Sequence, residues 1–355
     1  MERRTFALGL AASAALTALA ARPRRANAQT SGPAPATDAP AHPPMPSPWG
    51  GDGPHGVETI TGVWTDTARD RAVPWLIRLP AASAPAAPVV VYSHGLGGSR
   101  DGGARLSSRL ASHGYAVVHI QHAGSDTAIW GGVRPRLDTT DRTELARRAG
   151  DPRVAMARFR DVPFAVTQIR AMARDALAGR LDVARMAMSG HSYGAITTQV
   201  AAGQIFAGGA SLPVDAFSAF VAMSPSGDRG GDDRGAFARV SRPFMCLTGT
   251  EDSFALNAAV GSAADRLRVY AALPPQVPAV QVVLTGGDHF VFDGRILTGP
   301  PRPGDARHQA IIDASVLAFL DGHLRDDRAA RAFLREGLAQ AAGADARVDW
   351  RAVAA

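Results

Sequence analysis

Lysine is absent from this 355-residue sequence, and all 38 basic residues are arginine. The absence excludes chemistry that needs a lysine amine, such as a Schiff base, a Ser-Lys dyad or the phosphate-binding lysine of a P-loop. Cysteine is nearly absent too, because Cys246 is the only one. An intramolecular disulfide is therefore impossible, and the sequence argues against a cysteine-based zinc site.

A strong excess of one charge is also missing from most of the chain. The net charge is +6, but five arginines and one glutamate within residues 1–28 supply +4 of it. Basic and acidic residues are interspersed over the remainder, so we expect no nucleic-acid partner.

The N-terminus has the pattern of an export signal. Arg3 and Arg4 precede an apolar run from Ala7 to Ala21, and Ala26-Asn27-Ala28 resembles a cleavage site. The run is short for a membrane helix, so residues 1–28 predict a twin-arginine signal, a periplasmic or secreted protein and no stable membrane anchor after cleavage. Residues 29–55 are rich in Pro and Ala, which predicts a disordered linker.

Residues 56–345 show strand patterns alternating with helix patterns. Val89–Tyr92 and Ala116–Ile120 are short apolar runs suited to strands buried on both faces, and a long helix is expected over residues 153–177. Val280–Leu284 is expected to be the last strand. This order predicts an α/β domain with a mostly parallel central sheet flanked by helices. Residues 121–150 are polar and weakly periodic, which predicts a loop insertion above the sheet.

Ser192 lies at the centre of a Gly-x-Ser-x-Gly motif, Gly190-His191-Ser192-Tyr193-Gly194. Apolar residues of a predicted strand precede the motif, and a helix-forming run follows it. Strand, sharp turn and helix are the context of a nucleophile elbow, which exposes the serine hydroxyl. The helix N-terminus also favours developing negative charge there. We therefore predict Ser192 as a nucleophile.

A serine nucleophile needs a base and a carboxylate, and in this kind of sheet they follow it in the order acid, then histidine. Asp252 and Glu251 directly follow the predicted strand at Phe244–Leu247, and either could be the acid, with Asp252 favoured. His289 follows the last predicted strand and is the predicted base. Its neighbour Asp288 is expected to be an exposed loop residue.

Two backbone N–H groups are needed to bind the oxyanion of a tetrahedral intermediate. Tyr193 follows the nucleophile and should provide one. Leu96, in the Gly-rich loop after Val89–Tyr92, should provide the other. His94 is expected to brace this loop, and His191 to pack or hydrogen-bond beneath the elbow.

The polar segment 121–150 contains two candidates for the substrate pocket, His122 and Trp130, with ordinary loop packing as the alternative. His119 and His122 are three residues apart, but they lie on a strand-to-loop stretch and have no third ligand nearby. We therefore expect no metal site. The predicted serine chemistry also implies no cofactor.

Several motifs together resemble one family. They are Tyr92-Ser-His-Gly-Leu-Gly-Gly-Ser99, Ser112–Asp126, Gly190–Gly194, Leu247–Asp252 and Gly286–His289. The chain from Val57 to Leu320 resembles the α/β-hydrolases, in particular the predicted dienelactone hydrolases, which are similar to platelet-activating-factor acetylhydrolases and cutinase-like polyester hydrolases.

The resemblance implies an α/β-hydrolase fold and a serine esterase with Ser192, Asp252 and His289 as its triad. It also implies Leu96 and Tyr193 as oxyanion donors. Dienelactone hydrolases use a cysteine nucleophile, where this chain has Ser192. The predicted substrate is a small-molecule or lipid ester. The alternatives are a lipase, a polyester hydrolase, a phospholipid acetylhydrolase, a serine peptidase and, in another class, a non-catalytic binding protein on the same scaffold.

Overall fold

The computed structural model describes residues 44–351, apart from residues 83, 133–137, 207, 255–260 and 296–298. The predicted signal segment, residues 1–28, lies outside the described residues. The same holds for residues 29–43, the first part of the predicted linker.

Eleven strands occur in the described part of the chain. They are β1 Val57–Asp66, β2 Arg71–Pro80, β3 Ala87–Ser93, β4 Ala116–Ile120, β5 Leu181–His191, β6 Ile205–Phe206, β7 Ala210–Ser211, β8 Ala219–Met223, β9 Phe244–Glu251, β10 Ala279–Asp288 and β11 Ala346–Arg351. β6 and β7 form a separate two-stranded ribbon, and the other nine form one sheet in the order β1-β2-β4-β3-β5-β8-β9-β10-β11.

The middle of the sheet is parallel and its edges are antiparallel. The six strands from β4 to β10 in that order pair in parallel, whereas β1, β2 and β11 join by antiparallel pairing. Strand β3 shows why the centre is apolar, because Val89 and Val91 face one core while Val90 and Tyr92 face the other. The structure confirms the predicted α/β-hydrolase fold.

Helices cover both faces of the sheet. The α-helices of the described residues are α1 Ala104–Ser112, α2 Thr139–Gly150, α3 Pro152–Arg174, α4 Tyr193–Ala201, α5 Asp233–Phe237, α6 Ala263–Ala272, α7 Asp305–Leu324, α8 Arg328–Ala332 and α9 Leu338–Ala342. Side chains of α3, α4, α5 and α6 contribute to one core, and those of α1, α7, α8 and α9 contribute to the other. None of the described helices combines the length and apolar composition needed to cross a bilayer.

The end of the predicted linker is part of the folded domain, which corrects the prediction for residues 44–55. Met45 and Trp49 are 4% and 7% exposed and belong to the core beside α7. The Trp49 ring stacks on Phe333 at a centroid distance of 4.4 Å, and its Nε1–H donates to Asp321 at 3.3 Å. The apolar side chains in this Pro-rich stretch bury enough surface to hold it in place.

Two further expectations were wrong. The segment 121–150 is not all loop, because it contains a short 3-10 helix, Thr127–Trp130, and helix α2. Asp138 caps α2 by accepting from the N–H groups of Thr140 and Asp141. The domain also extends past residue 345, because β11 pairs antiparallel with β10 and forms an edge of the sheet.

We expect Trp49→Ala to lower the free energy of unfolding by about 3 kcal/mol, because it removes a buried ring and leaves a cavity. Urea denaturation followed by circular dichroism would measure the change. Val63→Ala is the control, since Val63 is 58% exposed and a surface change costs within about 0.5 kcal/mol. An unchanged urea midpoint for Trp49→Ala would contradict the inclusion of this segment in the core.

Candidate active site

Ser192 occupies a sharp turn between β5 and α4. Its φ is 58° and its ψ is −115°, a backbone conformation that non-glycine residues seldom adopt. A Cβ at Gly194 would collide with the carbonyl group of Ser93, and a Cβ at Gly190 would collide with the backbone of Gly194. The two glycines of the motif are therefore required by close backbone contacts around the serine.

The structure brings three predicted side chains into one hydrogen-bonded chain. Ser192 Oγ lies 3.0 Å from His289 Nε2, and His289 Nδ1 lies 2.8 Å from Asp252 Oδ1. Thr248 donates its hydroxyl hydrogen to the other carboxylate oxygen of Asp252 at 2.8 Å. Glu251, the alternative acid, is exposed. Because Asp252 accepts at Nδ1, the Nε2 atom of neutral His289 is free to accept a proton from the serine.

The surroundings keep His289 neutral and Asp252 ionised. Burial lowers the pKa of His289, and the hydrogen bond and charge of Asp252 offset only part of this effect. Burial acts to raise the pKa of Asp252, but the hydrogen bond from His289 and the nearby charge of Arg266 outweigh it and leave that pKa below its ordinary value. A neutral imidazole beside an ionised carboxylate can take the proton of the serine hydroxyl, and this makes the serine a nucleophile.

The rings around His289 hold its orientation. Phe254 stacks on it at 5.1 Å between centroids and an interplanar angle of 13°. His191 Nε2–H donates to the backbone carbonyl of His289 at 2.8 Å. Of the two roles expected for His191, packing or hydrogen bonding, the structure shows a hydrogen bond, made to the loop that holds the predicted base.

Leu96 and Tyr193, the residues predicted to provide the oxyanion donors, line the same cavity as Ser192 and His289. Tyr193 is the first residue of α4, so its N–H has no acceptor within the helix. His94 braces the loop of Leu96, as predicted, because its Nδ1–H donates to the Gly95 carbonyl at 2.6 Å.

The cavity at Ser192 is small, with a volume of about 80 Å³. Leu145 and Ala149 of helix α2 line it, together with Ile196 and Phe290. Helix α2 therefore covers the site, although its segment was expected to be a loop.

A larger chamber of about 550 Å³ adjoins this cavity. Ala149, Tyr193, Ile196, Ser226 and Arg229 line both spaces. The chamber continues between helices α3 and α4, and most of its lining surface is apolar.

His122 and Trp130 do not line the cavity, which corrects their prediction as pocket residues. His122 is fully buried, with Nε2 2.9 Å from Ser93 Oγ and Nδ1 2.9 Å from Asp161. Trp130 donates its indole N–H to the Gly97 carbonyl at 2.8 Å and so packs against the loop of Leu96. These contacts tie both side chains to the end of β3 and the loop of Leu96.

Asp288 was expected to be exposed, and this expectation was wrong. It is 8% exposed, and it pairs with Arg295 at 2.9 Å and Arg302 at 2.7 Å. Asp288 is the last residue of β10, so this pairing fixes the start of the loop that holds His289.

Two arginines near the site were missed by the sequence analysis. Arg266 lies 3.5 Å from Asp252 and donates to the carbonyl of Pro225. Arg158 is fully buried on α3 and shares the buried helix face with Val162. A charged residue on an apolar helix face was the signal that could have singled out Arg158. Among the described residues, no three His, Cys, Asp or Glu side chains are grouped as a metal site requires.

Comparison with known proteins adds a partial similarity. Residues 74–142 match the family described as platelet-activating factor acetylhydrolase, isoform II. This stretch includes β3, the loop of Leu96 and the first part of α2. No curated protein matches the chain. The similarity, together with the fold, points to a hydrolase of the α/β-hydrolase kind that acts on esters.

Proposed function

We propose that this protein hydrolyses carboxylic esters through an acyl-enzyme intermediate on Ser192. The observation that carries the proposal is the hydrogen-bonded chain from Ser192 through His289 to Asp252, with the serine in a strained turn at a helix N-terminus. This arrangement activates a serine hydroxyl for nucleophilic attack, and it is characteristic of serine nucleophiles.

The reaction follows from the roles of these groups. Ser192 Oγ attacks the ester carbonyl while His289 Nε2 takes the hydroxyl proton. Asp252 stabilises the imidazolium that forms, and the N–H groups of Leu96 and Tyr193 bind the oxyanion. The tetrahedral intermediate expels the alcohol, which receives the proton from His289. Water then attacks the acyl-enzyme by the same sequence and releases the carboxylic acid and the free serine.

A longer apolar ester is the second candidate substrate, and the adjoining chamber favours it. The catalytic cavity alone is small, but the chamber gives room for an apolar chain. The partial similarity to platelet-activating factor acetylhydrolases supports ester hydrolysis in general, and the case for a longer acyl chain rests on the chamber. We also propose that residues 1–28 direct export, on the strength of their sequence pattern.

We expect Ser192→Ala and Asp252→Asn to lower kcat by about 10⁴-fold or more on p-nitrophenyl esters, because each removes a member of the triad. Glu251→Gln and Ser218→Ala are the matched controls and should retain activity. Glu251 is exposed, and Ser218 precedes β8, whereas the candidate site lies at the carboxyl ends of the strands. Turnover that persists in Ser192→Ala would reject the nucleophile. Loss in Glu251→Gln but not in Asp252→Asn would reject the assigned acid.

The acid limb of kcat/KM against pH should fall below pH 6.5, because catalysis needs neutral His289 and burial lowers its pKa from 6.5. The charge of Arg266 contributes to this lowering. Arg266→Met should therefore raise the pKa and move the limb to higher pH. Arg268→Met serves as the control on the same helix, with no expected movement of the limb. A limb that moves to lower pH in Arg266→Met would contradict this account.

For a series of p-nitrophenyl esters from acetyl to decanoyl, we expect kcat/KM to hold or rise with chain length. Ala155 lines the chamber but not the catalytic cavity. Ala155→Phe should lower kcat/KM about 10-fold for the decanoyl ester and leave the acetyl ester unchanged, because the new ring occupies chain-binding space.

The control for that series is Ala171→Phe, an exposed position on the same helix. Activity that falls steadily with chain length, equally in both variants and the wild type, would favour a small-ester esterase over the longer substrate.

A further inference from the structure

Arg158 of helix α3 is fully buried and joins three segments around the site. Its guanidinium donates to Ser93 Oγ at 2.9 Å, at the end of β3, and to the His94 carbonyl in the loop that follows. It also donates to Ser125 Oγ at 3.0 Å and to Thr197 Oγ1 at 2.7 Å. No step of the proposed reaction uses this side chain directly.

The contacts with the β3 loop determine where the Leu96 N–H points. Arg158 holds the His94 carbonyl, and the His94 ring donates from Nδ1 to the Gly95 carbonyl at 2.6 Å. The Nε2 atom of His94 accepts the backbone N–H of His122 at 3.0 Å, so its tautomer is fixed. In a trans peptide the carbonyl and the N–H point in opposite directions. With the Gly95 carbonyl held by His94, the N–H of Leu96 is directed to the other side of that peptide.

The contacts with α4 fix the other oxyanion donor. Thr197 accepts from Arg158 Nε and in turn donates its hydroxyl to the Tyr193 carbonyl at 2.9 Å. The guanidinium carbon also lies 4.8 Å from the centroid of the Tyr193 ring. Arg158 therefore holds the first turn of α4, whose first N–H is that of Tyr193.

The hydrogen-bonding pattern explains why the group is an arginine. Its planar fork offers five N–H donors in fixed directions, whereas a lysine ammonium has three on one atom. Within the part of the chain that the structure describes, no carboxylate lies within 4.0 Å of this guanidinium. Burial lowers its pKa to about 10, so the group stays protonated at neutral pH. Neutral oxygens from three segments accept its hydrogens, and the Tyr193 ring and the charge of Asp161 also favour the protonated group, so the buried cation is stabilised.

We propose that Arg158 is a positioning residue that sets the distance and direction between the Leu96 and Tyr193 N–H groups, the two oxyanion donors. The inference rests on the proposed function, because those donors matter only if an oxyanion forms at Ser192. Arg158 itself does not touch the substrate, and its effect passes through the two backbone segments that it joins.

The test compares Arg158→Lys, Arg158→Met and Thr197→Val with the wild type on a p-nitrophenyl ester. Active sites are first titrated with a fluorophosphonate, so that kcat refers to folded enzyme only. We expect kcat to fall about 10- to 100-fold, somewhat less than for a lost oxyanion donor. KM should stay within about threefold, because the ground-state ester is little affected.

A second readout separates positioning from general stability. A trifluoromethyl ketone that forms a tetrahedral adduct with the serine should bind more weakly by the same factor as kcat falls, because both depend on the oxyanion donors. Arg158→Lys should not restore kcat, since it keeps the charge but loses the fork. Arg170→Met, at an exposed position of the same helix, is the control and should retain full activity.

Thr197→Val decides the outcome if the Arg158 variants do not fold, because it is close to isosteric and removes one acceptor of Arg158. A kcat per active site within about twofold of the wild type in that variant would overturn the proposal, and so would full rescue by lysine. Turnover that survives Ser192→Ala in the same assay would instead reject the proposed function itself.

Discussion

The close approach of helix α4 to the loop after β3 is the constraint on which the candidate site depends. Residue 194 has no side chain, and this allows the first turn of α4 to lie against the Ser93 carbonyl. The same turn holds Ser192 at a φ of 58°, a strained value that persists because the buried strand and helix on either side determine it. As a result Ser192, Leu96 and Tyr193 line one cavity.

Burial also controls the charge state of the region. It lowers the pKa values of the histidines in and beneath the site, and these are His94, His122 at about 4, His191 at about 3 and His289. The charges of Arg158 and Arg266 act in the same direction on several of them. Neutral imidazoles among fixed cations leave the site able to accept a proton and to favour negative charge on a bound group.

The sequence was enough to predict Ser192, Asp252 and His289 as neighbours for a simple reason. Each directly follows a strand of the parallel part of the sheet, and the carboxyl ends of such strands meet at one edge. The roles of supporting residues depend instead on partners far along the chain. Trp49 stacks on Phe333, 284 positions away, so local composition alone predicted a disordered linker there. Strand β11 alternates apolar and polar residues, but its pairing with β10 could not be deduced from that short pattern.

Several buried arginines of this lysine-free chain have the same structural role. Arg158 joins oxygens from three segments, Arg266 donates to the carbonyl of Pro225 beside Asp252, and Arg295 pairs with both Asp288 and Asp305. Each of these side chains connects elements around the catalytic loops through several donors of one planar group. A lysine at the same positions would keep the charge but could satisfy fewer of these oxygens in fixed directions. The loops at this edge of the sheet are therefore held together by guanidinium geometry as much as by charge.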